Sequence, residues 1–227
     1  MLISYSHKFI FIHNWKVAGT SVRAALAPYA IDQPTQNKLV NILMDNDSYF
    51  GFRLNSFISR SRLTRYTKNL NSFRAFEKHN TADIVKQLLP YSLWHRYYKF
   101  GFVRNPWDRE VSNYEFIIQN SENPMHETVR SMRGFDQYVE EYVTSRFYLQ
   151  KWFFFDRDGN NLVDYIGRFE NLEEDFEKVC SYLNIKSKLP HKNITVRPSY
   201  KRYYSDLSAQ IIYDIYKEDV EAFGYEF

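Results

Sequence analysis

An apolar β-type run, Phe9-Ile10-Phe11-Ile12, feeds a short loop over Asn14–Gly19, and Thr20-Ser21 then open a helix patterned Val22, Ala25, Leu26. That order restricts the chain more than any other stretch of it. A strand that turns tightly into a helix N-terminus aims backbone N–H groups and the positive end of the helix dipole at one point, where an anion is stabilised. Lys16 places a point charge in the loop, Gly19 lets the backbone come close to a ligand, and Thr20 and Ser21 supply hydroxyl donors. The ATP-type phosphate loop, GxxxxGK[ST], is a different object. Here the lysine stands three residues before the glycine, and His13, Asn14 and Trp15 precede it where a leading glycine would be needed. No convincing apolar strand ends in a metal-binding aspartate, since Leu162-Val163-Asp164 is too short a run. A donor with less charge at the transferred group than a Mg²⁺-bound polyphosphate suits this loop. An ordinary βα turn with a solvated lysine is the simpler reading of the same residues.

A second strand-to-helix junction lies at Lys99–Phe116. Phe100–Val103 reads as a buried strand, Asn105 as an N-cap and Pro106 as the first helical residue. Trp107, Val111, Tyr114 and Ile118 recur at helical spacing and give that helix a core face. Arg104 stands where the strand ends, on the sheet edge where open α/β folds bind ligands, and its planar fork suits phosphate. Pairing with Asp108 is the structural alternative for the same arginine.

Together these segments resemble the sulfotransferases that use 3′-phosphoadenosine-5′-phosphosulfate (PAPS). The nearest likeness is to the carbohydrate type related to heparan sulfate 2-O- and 6-O-sulfotransferases and their bacterial relatives. The loop Trp15-Lys16-Val17-Ala18-Gly19-Thr20-Ser21 is similar to the family's 5′-phosphosulfate loop, and Phe102-Val103-Arg104-Asn105-Pro106-Trp107-Asp108-Arg109-Glu110-Val111-Ser112-Asn113-Tyr114 to its 3′-phosphate motif. Lys78-His79-Asn80-Thr81-Ala82, Ile166–Leu172 and the ending Phe223-Gly224-Tyr225-Glu226-Phe227 extend the likeness nearly end to end. One departure stands out: Trp15 occupies the place of the family's proline.

The resemblance implies a P-loop-like sulfotransferase fold, α/β with a mostly parallel central sheet flanked by helices. It implies PAPS as donor, 3′-phosphoadenosine 5′-phosphate (PAP) as product, no metal, and a hydroxyl acceptor on a carbohydrate or glycolipid. Lys16, Val17, Ala18, Gly19, Thr20 and Ser21 would hold the 5′-phosphosulfate, with Lys16 stabilising the leaving phosphate. Arg104 and Ser112 would hold the 3′-phosphate. His79, just before a helix that Thr81 or Asn80 caps, would be the general base, and His13 would orient the loop. His191 falls in a loop that closes over the nucleotide in the family. From the cluster Arg197, Lys201 and Arg202, Arg197 and Lys201 are the candidates to close on the nucleotide, against plain surface charge. Two other readings use the same residues: an ATP-dependent P-loop phosphotransferase, and a catalytically inactive nucleotide-binding homologue.

Length and composition fit one domain over residues 1–227, with 44% apolar residues to build a core. No apolar run approaches a transmembrane span, and the start of the chain lacks a signal peptide's apolar region. The single cysteine, Cys180, falls on an apolar helical stripe with Leu172, Phe176, Val179 and Leu183. These features fit a cytoplasmic protein. The net charge of +3 is uneven, because residues 36–78 carry eight of the 30 Lys/Arg and only three acids. That segment reads either as a solvated helical surface or as an acceptor-side cover favouring anionic acceptors, with no nucleic-acid signature beside it. Elsewhere, Trp152–Phe155 before Asp156-Arg157-Asp158-Gly159 predicts a strand entering a hairpin. Asn171 and Glu174 predict a capping box for a helix over 171–183. A last helix is predicted over about 206–223, with Ile211, Ile215, Val220 and Phe223 inward and a stop at Gly224.

Overall fold

The structure, a computed structural model, describes residues 1–30, 77–190 and 198–227. The basic segment 36–78, apart from its last two residues, lies outside them, as do His191 and Arg197. Four strands form one sheet in the order β1 (Leu2–Ser4), β2 (Phe9–Ile12), β3 (Tyr98–Val103), β4 (Tyr165–Arg168). β1 pairs antiparallel with β2, and β2, β3 and β4 run parallel, with Phe11 opposite Phe100 and Phe102 opposite Gly167. The α/β class and mostly parallel sheet that the resemblance implies are therefore present.

Successive strand residues point to opposite faces, so each strand feeds two cores. Phe9, Phe11, Phe100 and Phe102 pack with Val22 and Leu26 of α1 (Gly19–Leu26) and with Phe176 and Val179 further along the chain. Ile10, Ile12 and Val103 face the other way. There they meet α2 (Ala82–Leu88), α3 (Tyr91–Arg96) and α4 (Pro106–Gln119), then the segments that follow: α5 (His126–Arg130), α6 (Phe135–Gln137) with its π-helical continuation Tyr138–Val143, and α7 (Lys151–Phe154). β4 is followed by α8 (Leu172–Tyr182), which carries Phe176, Val179 and the buried Cys180 onto the first face. α9 (Asp206–Ile215) and α10 (Lys217–Phe223) close the second. No helix among the described residues is long and apolar enough to cross a membrane.

Three local expectations are corrected. Residues 151–154 are helix α7, not a strand; only Phe155 pairs, in one antiparallel bridge to Asn161. The cause is distant: the buried Asp219 carboxylate accepts the N–H groups of Gln150 and Lys151, at 2.8 Å each, and caps the helix start. α8 forms where expected, but Asn171 makes no side-chain cap; the Asp175 carboxylate instead accepts the Arg168 N–H at 2.7 Å. The last helix is two helices with a break at Tyr216, whose hydroxyl donates to the buried Glu110 at 2.9 Å. As a result Ile212 and Tyr216 are driven inward beside Phe223, which is buried as expected, and Ile211, Ile215 and Val220 only flank the core. Gly224 does end α10, in the left-handed conformation at φ 60°.

Candidate active site

The loop between β2 and α1 holds two non-glycine residues in the left-handed region, Lys16 at φ 58° and Ala18 at φ 57°. Each costs about 1 kcal/mol or more, so surrounding structure must impose the shape. Left-handed residues alternating with ordinary ones turn successive N–H groups toward a common side, the geometry of an anion nest. The N–H groups of Ser21 and Val22 both close on Ala18 O, at 2.9 and 3.1 Å. Gly19 and Thr20 occupy the first two helical positions, where an α-helix has no acceptor of its own. Thr20 is exposed, and Val17 and Ser21 are buried. Gly19 is required for a reason its sequence context does not show: a Cβ there would lie 2.1 Å from the His13 ring. His13 is stacked on Phe11 behind the loop and is 3% exposed, and burial above all pushes its pKa down to about 2.

Arg104 leaves the end of β3 and binds across to this loop. Its Nη1 donates to the Lys16 carbonyl at 3.0 Å, its Nε to Asp108 at 2.7 Å, and its guanidinium lies 3.8 Å from the Phe169 ring centre. Asn105 caps α4 as expected, accepting from the N–H groups of Trp107 and Asp108. Positions 108, 112 and 116 share one face of α4, one turn apart. Asp108 holds Arg104, and the Phe116 ring carries the Lys16 ammonium at 4.0 Å. The half-buried Ser112 sits on the turn between them. The Lys16–Ser21 loop, Arg104 and Ser112 are thus one neighbourhood.

A buried glutamine that carries no motif ties the two halves together. Gln150 is fully buried; its Oε1 accepts from the Arg104 N–H at 2.9 Å and from Asn14 Nδ2 at 3.2 Å, while its Nε2 donates to Arg104 O at 2.8 Å. Glu170 fixes the other side of the junction, accepting from the Asn105 N–H at 2.6 Å and from the Tyr225 hydroxyl at 3.1 Å. Arg168 donates to the Phe223 carbonyl. The Ile166–Leu172 and Phe223–Phe227 segments therefore brace the cap of α4. Lys201 belongs to that brace: it is exposed, and its ammonium donates to Phe227 O at 2.8 Å.

His79 reaches the loop from the start of α2, which Thr81 caps. Its Nδ1 lies 3.0 Å from the His13 carbonyl oxygen. A carbonyl only accepts, so Nδ1 carries the proton and Nε2 holds the lone pair. Burial lowers the His79 pKa, the bond to His13 partly opposes it, and nearby Lys78 lowers it further. A neutral imidazole with a free Nε2 lone pair is the competent form of a general base. Trp15 stacks on this ring, centroids 4.3 Å apart at 24°, and lies parallel to Tyr148 at 5.8 Å. A cleft of about 360 Å³ opens beside the start of α2, lined by Thr81, Asp83, Lys151, Trp152 and Glu218 among others.

No motif marks Gln150 or Tyr148, and the sequence reads Trp152 only as part of a strand. Aromatic clustering at Phe147–Phe155 was the one available signal for the last two, and nothing local marks Gln150.

A crystal structure of a sulfotransferase from Alicyclobacillus acidocaldarius aligns over 97% of this chain and 96% of its own, at 16% identity and a TM-score of 0.40. An uncharacterized protein of Archaeoglobus fulgidus is 28% identical over 116 residues, which span 48% of this chain and 85% of that protein. The model of the Sulfotransferase family matches residues 1–226. With a match over that length, the chain belongs to the Sulfotransferase family.

Proposed function

We propose that this protein moves a sulfuryl group from PAPS to a hydroxyl on a carbohydrate or glycolipid. The observation that carries the reading is the bond from Arg104 to the Lys16 carbonyl, which joins a strained anion-type loop to a buried guanidinium. Two phosphate-type sites so linked suit a donor with phosphate at both its 5′ and 3′ positions. PAPS supplies the activated sulfuryl group and a phosphate leaving group. Lys16–Ser21 bind its 5′ end through backbone N–H groups and hydroxyls, and Arg104 with Ser112 bind the 3′-phosphate. His79 Nε2 takes the proton of the acceptor hydroxyl as its oxygen bonds to sulfur. The Lys16 ammonium stabilises charge on the departing phosphate oxygen. Asp83 and Glu218 in the adjoining cleft are hydrogen-bond acceptors for sugar hydroxyls, and Trp152 is a flat face for a pyranose ring.

The test is label transfer from ³⁵S-labelled PAPS to a panel of oligosaccharides and glycolipids. The wild-type protein should label at least one acceptor without added Mg²⁺, and PAP should raise the melting temperature far more than ATP. His79→Ala should cut turnover by about 10²–10⁴-fold with PAP affinity nearly unchanged. Near-normal turnover of that variant would remove His79 from the role of base, and EDTA-sensitive phosphoryl transfer from ATP would replace the reading altogether.

A further inference from the structure

A single hydrogen bond fixes one atom of an imidazole, not its plane. The His79 ring is held at Nδ1 by the His13 carbonyl, 3.0 Å away, and the His13 ring meets it edge-on, centroids 4.8 Å apart at 62°. What covers its face is Trp15, at 4.3 Å and 24°. Trp15 is itself pinned. Its N–H donates to Asn14 Oδ1 at 2.6 Å, and Asn14 in turn donates to Gln150 and to the Phe102 carbonyl. Its ring runs parallel to Tyr148, whose carbonyl accepts from the buried Arg109 at 3.1 Å. Trp15 and Tyr148 are nevertheless 45% and 57% exposed. A core tryptophan would be covered. An indole half in water and stacked on the candidate base has its contact with that ring as the evident consequence of its placement.

We propose that Trp15 is the positioning residue for His79: its indole stacks on the imidazole and holds it in the orientation in which Nδ1 meets the His13 carbonyl and Nε2 is presented to the acceptor. The proposal rests on the reading of His79 as the base. It also accounts for tryptophan where the resembling loops carry proline, since proline stiffens a backbone but offers no flat aromatic face to an imidazole. The titratable and charged groups around the ring are His13, Lys78 and the Met1 amine; none of them can replace a stacking surface.

The experiment follows the ring directly, in the full-length protein with ¹⁵N-labelled histidine side chains. Wild type should show His79 as the Nδ1–H tautomer. Trp15→Ala and Trp15→Leu should shift it toward the Nε2–H form that unrestrained histidine favours, and Trp15→Phe should restore the wild-type signature. Leucine keeps bulk without a flat face, so a fold that merely needs volume at this site would spare it. In transfer from PAPS to desulfated heparin oligosaccharides, Trp15→Ala should lower kcat about 10-fold, the cost of a loosely held catalytic group, with the PAP dissociation constant within about twofold of wild type. An unchanged His79 tautomer in both Trp15→Ala and Trp15→Leu would overturn the proposal. So would a raised KM for the oligosaccharide at unchanged kcat, which would make Trp15 a sugar-stacking surface. His79→Ala run alongside separates the two levels. If it leaves transfer intact, the base assignment falls, while the tautomer data still report on Trp15.

Discussion

In the proposed donor site the Lys16–Ser21 loop would present backbone to a ligand, whereas the Arg104 half would present one side chain. The loop is strained at Lys16 and Ala18, and its shape is imposed from behind by the His13 ring seated against Gly19. The other half is unstrained and is fixed by bonds to named partners: Asp108, the Lys16 carbonyl, the Phe169 face and, through its own backbone, Gln150. Backbone sites tolerate side-chain change as long as the shape survives. A site built on one guanidinium fails with that guanidinium. Yet the two are not independent, because Arg104 is also a prop for the loop.

The largest expected effect tests that coupling. Arg104→Ala should weaken PAP binding by about 2–4 kcal/mol, the usual worth of a charge-assisted contact to a phosphate. It should also weaken binding of adenosine 5′-phosphosulfate, which has no 3′-phosphate, because the Lys16 carbonyl loses its donor. Calorimetric titration with both ligands decides the matter. Undiminished affinity for adenosine 5′-phosphosulfate would mean that the halves act separately and that the Arg104–Lys16 bond is incidental.

Acid should separate the halves next. In the unfolded chain a histidine takes up its proton near pH 6.5. Buried His13 does so only at about 2, so between these values the unfolded state binds more protons and stability falls as pH falls. One such group gives a slope of about 1.4 kcal/mol per pH unit. His79, also lowered, and the buried Met1 amine, pushed down to about 5, add to it until their own folded pKa values are reached. Urea unfolding between pH 6.5 and 5.0 stays above the range in which Asp136, Asp156 and Asp175 contribute, because these carboxylates are lowered. His13→Phe, which keeps the stack on Phe11, should flatten the slope by one proton's worth. The named partners of Arg104 include no histidine, so substitutions there should leave the slope alone. An unaltered slope in His13→Phe would place the acid-sensitive group elsewhere.

The same contrast explains what could be read from the chain alone. Both strand–loop–helix junctions were legible because their signals are local: an apolar run, Thr20-Ser21 or Asn105-Pro106, then a helical stripe. The resemblance that those two junctions carry was enough for the sheet class. What was hidden depends on distant partners. Helix α7 replaces the strand that four aromatics in a row suggest because Asp219, far along the chain, caps it. The break at Tyr216 answers to Glu110 on α4. Gln150 has no neighbours in sequence that mark it, and its importance lies in three bonds to residues more than forty positions away. Gly19 was legible as necessary but for another reason, since its constraint is the His13 ring.

The smallest expected effect is the sharpest probe of the Arg104 half, because Ser112 touches the coupling least. It lies on the face of α4 between Asp108, which holds Arg104, and Phe116, which carries Lys16. Being half-buried on a helix surface, its hydroxyl can go without rearranging either neighbour. One hydroxyl hydrogen bond is worth about 0.5–1.5 kcal/mol. Ser112→Ala should therefore weaken PAP about threefold to tenfold, leave adenosine 5′-phosphosulfate unaffected and leave the melting temperature of the ligand-free protein where it was. That pattern would locate the 3′-phosphate on this face of α4 in a way that Arg104→Ala, which disturbs both ends, cannot. Equal loss for both ligands would put Ser112 at the 5′ end, under Lys16. No loss for either would move the 3′-phosphate off this helix face and leave Arg104 as a strut between β3 and the loop.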